Sequence, residues 1–390
     1  MIVKDENELK LLRLQGFYTK DKTNLTLFQD LFELTMSLGR FSEAKDLLVN
    51  LEAKLCEEPI IKFDWSKFHI AQAEYEIALE ILETLLTDGT VNTGVIYNIL
   101  WCKLNLKRFQ EVIEEMDKHS NFVDEYPAFQ LLKIRAMHNL GRIEEALFLV
   151  QHYLEFNKDD QDALGLKAIL SLDLGRYDEA SVAADMALIL NPFNHEALTV
   201  LSSVALVEQN PDKALVHLSK SENITTRSGR MMLNLGQAQM LNMDFLEAEE
   251  SLKKASELMP DHIGTWHALA WVELVQNKVD FAEQSLQKAM DLDRNFSETH
   301  GGLAVIAVRK GNIDLARKLT KTALRLDPNC VSGRYAESLL LEASGEVQLA
   351  KEKVTNLIES TKSGDGRPLT ELINQANQRF SSKPNNGQIH

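Results

Sequence analysis

The sequence has few of the residues that break helices and turn strands, with 8 prolines and 18 glycines in 390 residues. That scarcity argues against many short strands joined by tight turns and favours long uninterrupted helices. Cysteine is scarcer still, and Cys56, Cys102 and Cys330 stand in no metal or redox spacing. No apolar run approaches the roughly 20 residues that a membrane-spanning helix needs. The opening Met1 to Glu8 is rich in acid and lacks the apolar stretch of a secretory signal. A cytoplasmic protein without membrane insertion is therefore expected. Basic charge is short as well: 42 Lys and Arg stand against 58 Asp and Glu, for a formal net charge of −16. This balance disfavours nucleic acid and anionic membranes as partners and is compatible with a partner carrying a basic segment.

Chemical motifs are missing too. The chain has no His-Glu-x-x-His, no Gly-x-x-x-x-Gly-Lys, no Gly-x-Ser-x-Gly and no Cys-x-x-Cys. Ser363-Gly364-Asp365-Gly366 is glycine-rich but follows a helical pattern rather than a strand, so it reads as a terminator. His262, His267 and His300 fall close in sequence, yet no cysteine or paired carboxylate completes a tetrahedral set, and they are expected as surface or partly packed residues. No catalytic residue, cofactor site or metal site is assigned, and the chain is not expected to be an enzyme.

What is present is a period. Stepping by 34 residues from Ala248 gives Ala282, Ala316 and Ala350 in one direction. In the other it gives Ala214, Ala180, Ala146, Val112, Ala78 and Ala44. The same step from Phe245 reaches Phe41, Tyr75, Phe109, Ile143, Tyr177, Val279, Ile313 and Val347, with Pro211 the one departure. Pro211 follows Asn210 as a helix-starting proline follows a cap. Gly39, Gly141, Gly175, Gly311 and Gly345 precede that column by two residues, at the corner between two helices. Ala73, Lys107, Gln209, Met243 and Asn277 hold the same place in the other repeats, so those corners lack glycine. Pro192, Pro260 and Pro328 close their repeats.

These residues resemble the tetratricopeptide repeat family, a 34-residue helix–turn–helix with Trp-x-x-Leu-Gly-x-x-Tyr in the first helix and Ala-x-x-x-Phe in the second. Ten repeats are placed, starting at Leu25, Pro59, Thr93, Pro127, Gln161, His195, Gly229, Ile263, Ser297 and Val331 and running to residue 364. Residues 1–24 are expected as an N-terminal cap, with Leu9, Leu12, Leu14 and Phe17 as its apolar residues. Residues 365–390 are expected as a last helix with a disordered tail, the helix carrying Leu369, Leu372, Ile373, Ala376 and Phe380. The expected fold class is all-α: a right-handed superhelical solenoid whose first helices line a concave groove, both properties implied by the resemblance. A single repeat cannot bury its apolar face, so stacking stabilises the array.

The resemblance also implies a function: binding a peptide or helix of a partner protein in that groove, as a scaffold or chaperone-like escort. Trp266 holds the family's own tryptophan position and is expected inside its repeat. Trp271, five residues on, points about 140° away on the same helix, toward the groove. The expected groove residues are Phe63, Lys67, Tyr97, Trp101, Leu131, Arg135, His138 and Ile169, followed by Leu172, Leu206, Gln237, Met240, His267, Trp271, Val305 and Arg309. The Lys and Asn pair with which one subfamily grips a C-terminal carboxylate is absent, since the matching places hold Gln29 and Glu33, Phe63 and Lys67, Tyr97 and Trp101. Acidic second-helix residues such as Glu247, Glu249 and Glu250 are expected on a solvated convex face. A part in assembling a secretion or pilus machine fits the resemblance. The rival expectation is a regulatory subunit that recruits or inhibits a separate enzyme.

Overall fold

The computed structural model describes residues 6–51, 54–89, 92–119, 126–221, 228–362, 367–371 and 373–374. The glycine-rich 363–366 break, Leu372, Ala376, Phe380 and the expected tail from Ser381 lie outside the described residues. Among those described, regular structure is helical, apart from one isolated antiparallel bridge between Lys362 and Pro368. The chain falls into two compact bodies, Met1–Lys158 and Asp159–His390.

In the N-terminal body α1 (Glu6–Tyr18) precedes four helical hairpins. These are α2 (Leu25–Ser37) with α3 (Phe41–Val49), α4 (Pro59–Ala71) with α5 (Tyr75–Thr87), α6 (Thr93–Asn105) with α7 (Phe109–Lys118), and α8 (Pro127–Asn139) with α9 (Ile143–Phe156). The cap packs through Leu11, Leu14 and Tyr18 onto Phe28, Leu31 and Phe32. Of the cap's expected apolar residues, Leu14 joins this packing, whereas Leu9, Leu12 and Phe17 are exposed. The helical phase places Leu11, Leu14 and Tyr18 on one stripe, at i, i+3 and i+7, and leaves the other three off it.

The C-terminal body holds six hairpins. They are α10 (Gln161–Asp173) with α11 (Tyr177–Leu190), α12 (His195–Val207) with α13 (Pro211–Ser219), α14 (Gly229–Leu241) with α15 (Phe245–Leu258), α16 (Ile263–Val275) with α17 (Val279–Leu292), α18 (Ser297–Arg309) with α19 (Ile313–Leu326), and α20 (Val331–Ala343) with α21 (Val347–Ser360).

Local chemistry sets these boundaries. Asn24, Asn92, Asp160, Asn194 and Ser228 cap their first helices by accepting backbone N–H bonds. Pro59, Pro127 and Pro211 stand at helix starts, where a missing N–H costs nothing. Each corner is closed by the same reach-back bond across five residues, for example Glu74 N to His69 O at 2.9 Å and Asp244 N to Gln239 O at 2.9 Å. The residue before that donor has positive φ in every repeat. Five are glycines, and Ala73, Lys107, Gln209, Met243 and Asn277 adopt φ of 56–62° without being glycine. The missing glycines therefore change the strain of these corners, not their geometry.

The alanine column forms the seam between paired helices: all nine alanines and Val112 are buried. Close approach also joins successive first helices. A Cβ on Gly301 of α18 would sit 2.4 Å from the backbone nitrogen of Gly333 in α20, so only glycine fits there.

The second helices depart from the expected solvated face at several points, Glu249 and an apolar stripe on α11 among them. Glu247 and Glu250 are exposed, but Glu249 is 6% exposed. Its carboxylate takes Lys253 Nζ at 2.7 Å, Lys278 Nζ at 2.5 Å and Gln276 Nε2 at 2.8 Å, tying α15 to the hairpin that follows. Along α11 and the turn after it, Val182, Met186, Ile189 and Phe193 form an exposed apolar stripe at i, i+4, i+7 and i+11, with Ile189 80% exposed.

Candidate partner-binding surface

Each body places its share of the expected groove residues on first helices, and the two shares differ in character. In the N-terminal body, Phe63 and Lys67 lie on α4, Tyr97 and Trp101 on α6, and Leu131, Arg135 and His138 on α8; all are half-buried. Tyr97 stacks on Trp101 at 6.5 Å between centroids and meets Phe129 edge-on at 5.7 Å. Both rings also pack against the buried cluster of Ile96, Leu100 and Phe129. Each ring is thus part core and part surface, and packing and groove lining are compatible roles for Trp101.

Lys67 sits between two aromatic rings and two carboxylates. Its ammonium lies 5.5 Å from the Phe32 ring centroid and 5.3 Å from that of Phe63. It pairs with Glu33 and, at 2.6 Å, with Asp64. Asp64 is 1% exposed, and neither of its oxygens has a well-formed hydrogen bond. Burial pushes its carboxyl above the ordinary aspartate value, and Lys67 only partly opposes the shift.

The C-terminal body has a cavity of about 650 Å³ on its first-helix face, lined mainly by α10, α12 and α14. Leu172, Leu206, Leu233, Met240 and Leu241 supply apolar walls. An ion pair crosses it: Asp173 at the end of α10 meets Arg230 at the start of α14, with Arg230 Nη2 2.5 Å from Asp173 Oδ1. This contact spans the intervening repeat and ties two non-adjacent first helices. Asn234 is buried and donates through its amide nitrogen to Ser202 Oγ and Ser203 Oγ, each at 2.8 Å, and to Thr199 O at 3.2 Å. Those bonds fix α14 on α12 and leave Gln237 and Met240, one and nearly two turns further along, lining the cavity. His262 closes one side. It caps α16 through Thr265, and burial together with nearby Arg230 holds its imidazole below the usual histidine range.

Of the residues expected from sequence in this body, Leu172, Leu206, Gln237 and Met240 line the cavity, whereas Ile169, His267, Trp271, Val305 and Arg309 lie elsewhere. His267 Nε2 is 2.8 Å from Thr299 Oγ1, and its ring meets Phe296 edge-on. Burial lowers its pKa. Trp271 is half-buried, packed against the Ala270–Leu274–Ile306 cluster and against Ala304, Val305 and Ala336. Arg309 donates to Leu274 O at 3.0 Å, near the end of α16. His300 Nε2 bonds Arg294 O at 2.8 Å, so His262, His267 and His300 serve three separate local contacts. Trp266, expected inside its own repeat, joins a cluster made mostly of the preceding repeat's Leu233, Ala248, Leu252 and Ala255 and donates to Pro260 O at 2.9 Å.

Asp173, Arg230 and Asn234 escaped the sequence reading. Arg230 and Asn234 precede Gln237 by seven and three residues, on the same helical face, so the phase that finds Gln237 also finds them. A search weighted toward apolar and aromatic side chains passes over them.

A 34-residue hairpin with a left-handed corner at constant phase and an alanine seam defines a class. The fold is that of tetratricopeptide repeat proteins. Comparison with protein-family models and with curated proteins returns no match. Among solved structures it is similar to the Cut9–Hcn1 hetero-tetramer of the APC/C, at 16% identity over 86% of this chain and 81% of that one, with a TM-score of 0.59. It is also similar to the human IFIT1 dimer with PPP-AAAA, at 15% identity over 90% and 94% of the two chains, with a TM-score of 0.50. These likenesses concern the fold. No helix among the described residues is long and apolar enough to cross a membrane.

Proposed function

We propose that the chain is a protein-interaction scaffold that lays an extended segment of a partner along the first-helix face of its C-terminal body. The cavity spanned by the Asp173–Arg230 pair carries this reading. Its leucine and methionine walls suit apolar side chains, and Gln237 and Arg230 supply polar groups for a peptide backbone. A role as escort in assembling a secretion or pilus machine is a narrower form of this proposal and rests on the family resemblance alone.

A second reading has its own support. The exposed Val182–Met186–Ile189–Phe193 stripe on the opposite kind of helix suits a folded partner, as a regulatory subunit recruiting a separate enzyme would need.

Affinity capture from the source cell, with photo-crosslinking from position 237, separates the two. The wild type is compared with Met240→Glu and with Met186→Glu/Ile189→Glu, after circular dichroism shows equal helicity. Loss of a crosslinked partner in Met240→Glu alone supports the cavity. Loss in the double variant alone favours the second-helix surface, and capture unchanged in both rejects both surfaces.

A further inference from the structure

The chain returns to its own binding face. After α21 ends at Ser360, Leu369 N donates to Thr361 O at 2.9 Å and Lys362 bridges Pro368, so the backbone doubles back. At the neck of this turn stands Arg367, whose side chain is 26% exposed. Arg367 Nη2 donates to Val207 O at 3.3 Å, across 160 residues and four repeats. Repeat arrays make contacts mainly between neighbours, so a bond of this span is an added element rather than a consequence of stacking.

The acceptor is well chosen. Val207 is the last residue of α12, where the corner bonds use the carbonyls of Val204, Ala205 and Leu206. The helix end presents its remaining carbonyl and the negative end of its dipole, both suited to a guanidinium. Val207 also lines the cavity that crosses α12. Beyond Arg367 a helical turn begins at Leu369, with Leu369, Thr370 and Ile373 half-buried, and Glu371 within 4.0 Å of Arg367.

We infer that Arg367 and the turn at residues 369–371 beside it are a built-in occupant of the cavity's rim, one that a partner segment must displace. This rests on the cavity being the partner site proposed above. Tethering makes such an occupant effective without strong contacts, because a short connection gives an effective concentration on the order of millimolar. An intrinsic dissociation constant of about 0.1 mM would then weaken partner binding about tenfold. The chemistry is explicit: a guanidinium to cap α12, followed by leucine and isoleucine one helical turn apart.

The test uses the full chain, wild type against Arg367→Glu/Leu369→Glu/Ile373→Glu, matched by circular dichroism. Hydrogen exchange of the amides at Glu208, Gln209 and Asn210 is measured first. Then a fluorescein-labelled synthetic peptide of residues 361–374 is titrated into each protein. Release of the segment is expected to speed exchange at that corner and to let the variant bind the peptide about tenfold more tightly than the wild type. Unchanged exchange would show that the contact does not form in solution and would overturn the inference. Faster exchange with equal peptide binding, or with none, would overturn the guarding role. In each of these cases the capture experiment still decides the cavity's own role, because it reads a partner rather than the segment.

Discussion

A left-handed backbone costs a side-chain-bearing residue on the order of 1 kcal/mol, and five of the ten corners bear that cost. Ala73 and Lys107 are exposed, so replacing them removes little packing. Ala73→Gly and Lys107→Gly should each stabilise their body by about 0.5–1 kcal/mol, net of the freedom glycine adds to the unfolded chain. Gly175→Ala supplies the opposite arm. Its added Cβ would meet nothing within 4 Å, so an expected loss of about 1 kcal/mol would be backbone strain, net of the freedom alanine removes from the unfolded chain. Urea unfolding monitored by circular dichroism reads all three. A neutral Gly175→Ala together with a destabilising Ala73→Gly would sink the strain argument. At this scale the sequence was most readable where one residue type answers one geometric demand, as at Ala146 and Ala248 in the seam. It was least readable where a polar residue can face either way. Asn234 and Arg230 share a helical face with Gln237, yet only the structure shows one of them buried as a clamp and the other drawn into an ion pair.

Between elements, the same ambiguity governs Glu249. Its neighbours Glu247 and Glu250 face solvent, and sequence alone gives no reason to treat it differently. Burial by itself would raise its carboxyl, but hydrogen bonds from Lys253, Lys278 and Gln276 outweigh burial and bring its pKa from the ordinary 4.5 to about 2. A depressed carboxyl contributes stability that is fully present above its unfolded value. That contribution is lost as pH falls from about 4.5 toward 2, and amounts to at most about 3 kcal/mol. We expect the C-terminal body to lose stability across that window and Glu249→Gln to flatten the loss. Urea midpoints at pH 5, 4, 3 and 2 for both proteins check this, and parallel curves would remove Glu249 from the account. The variant should also destabilise at pH 7, because it leaves Lys253 and Lys278 without their shared carboxylate.

On the scale of the molecule, an array whose repeats are held by their neighbours opens where its local interactions are poorest, not everywhere at once. The 34-residue register runs through Lys158 and Asp159 without interruption, so spacing alone gave no sign of two bodies. Within the N-terminal body, the repeats between Pro59 and Tyr126 bury charge: Asp64 at 1% exposure, and Lys103 at 7%, the latter paired with Glu115 at 3.1 Å. Desolvation offsets much of what such pairs contribute, and Asp64 lacks the further hydrogen bonds that would complete the compensation. From Gln161 to Pro260 the buried polar groups are mostly neutral and bonded, as Thr199, Ser202 and Asn234 are, and alanines close the seam at Ala180, Ala183, Ala184 and Ala187. Native-state hydrogen exchange should therefore show α4 to α7 less protected than α10 to α15. Asp64→Asn should narrow the gap, since it removes a charge that burial keeps costly at neutral pH, while Lys67 retains Glu33. Equal protection in both stretches of the wild type would mean that buried charge does not set the order of opening, and repeat-to-repeat packing alone would then have to account for it.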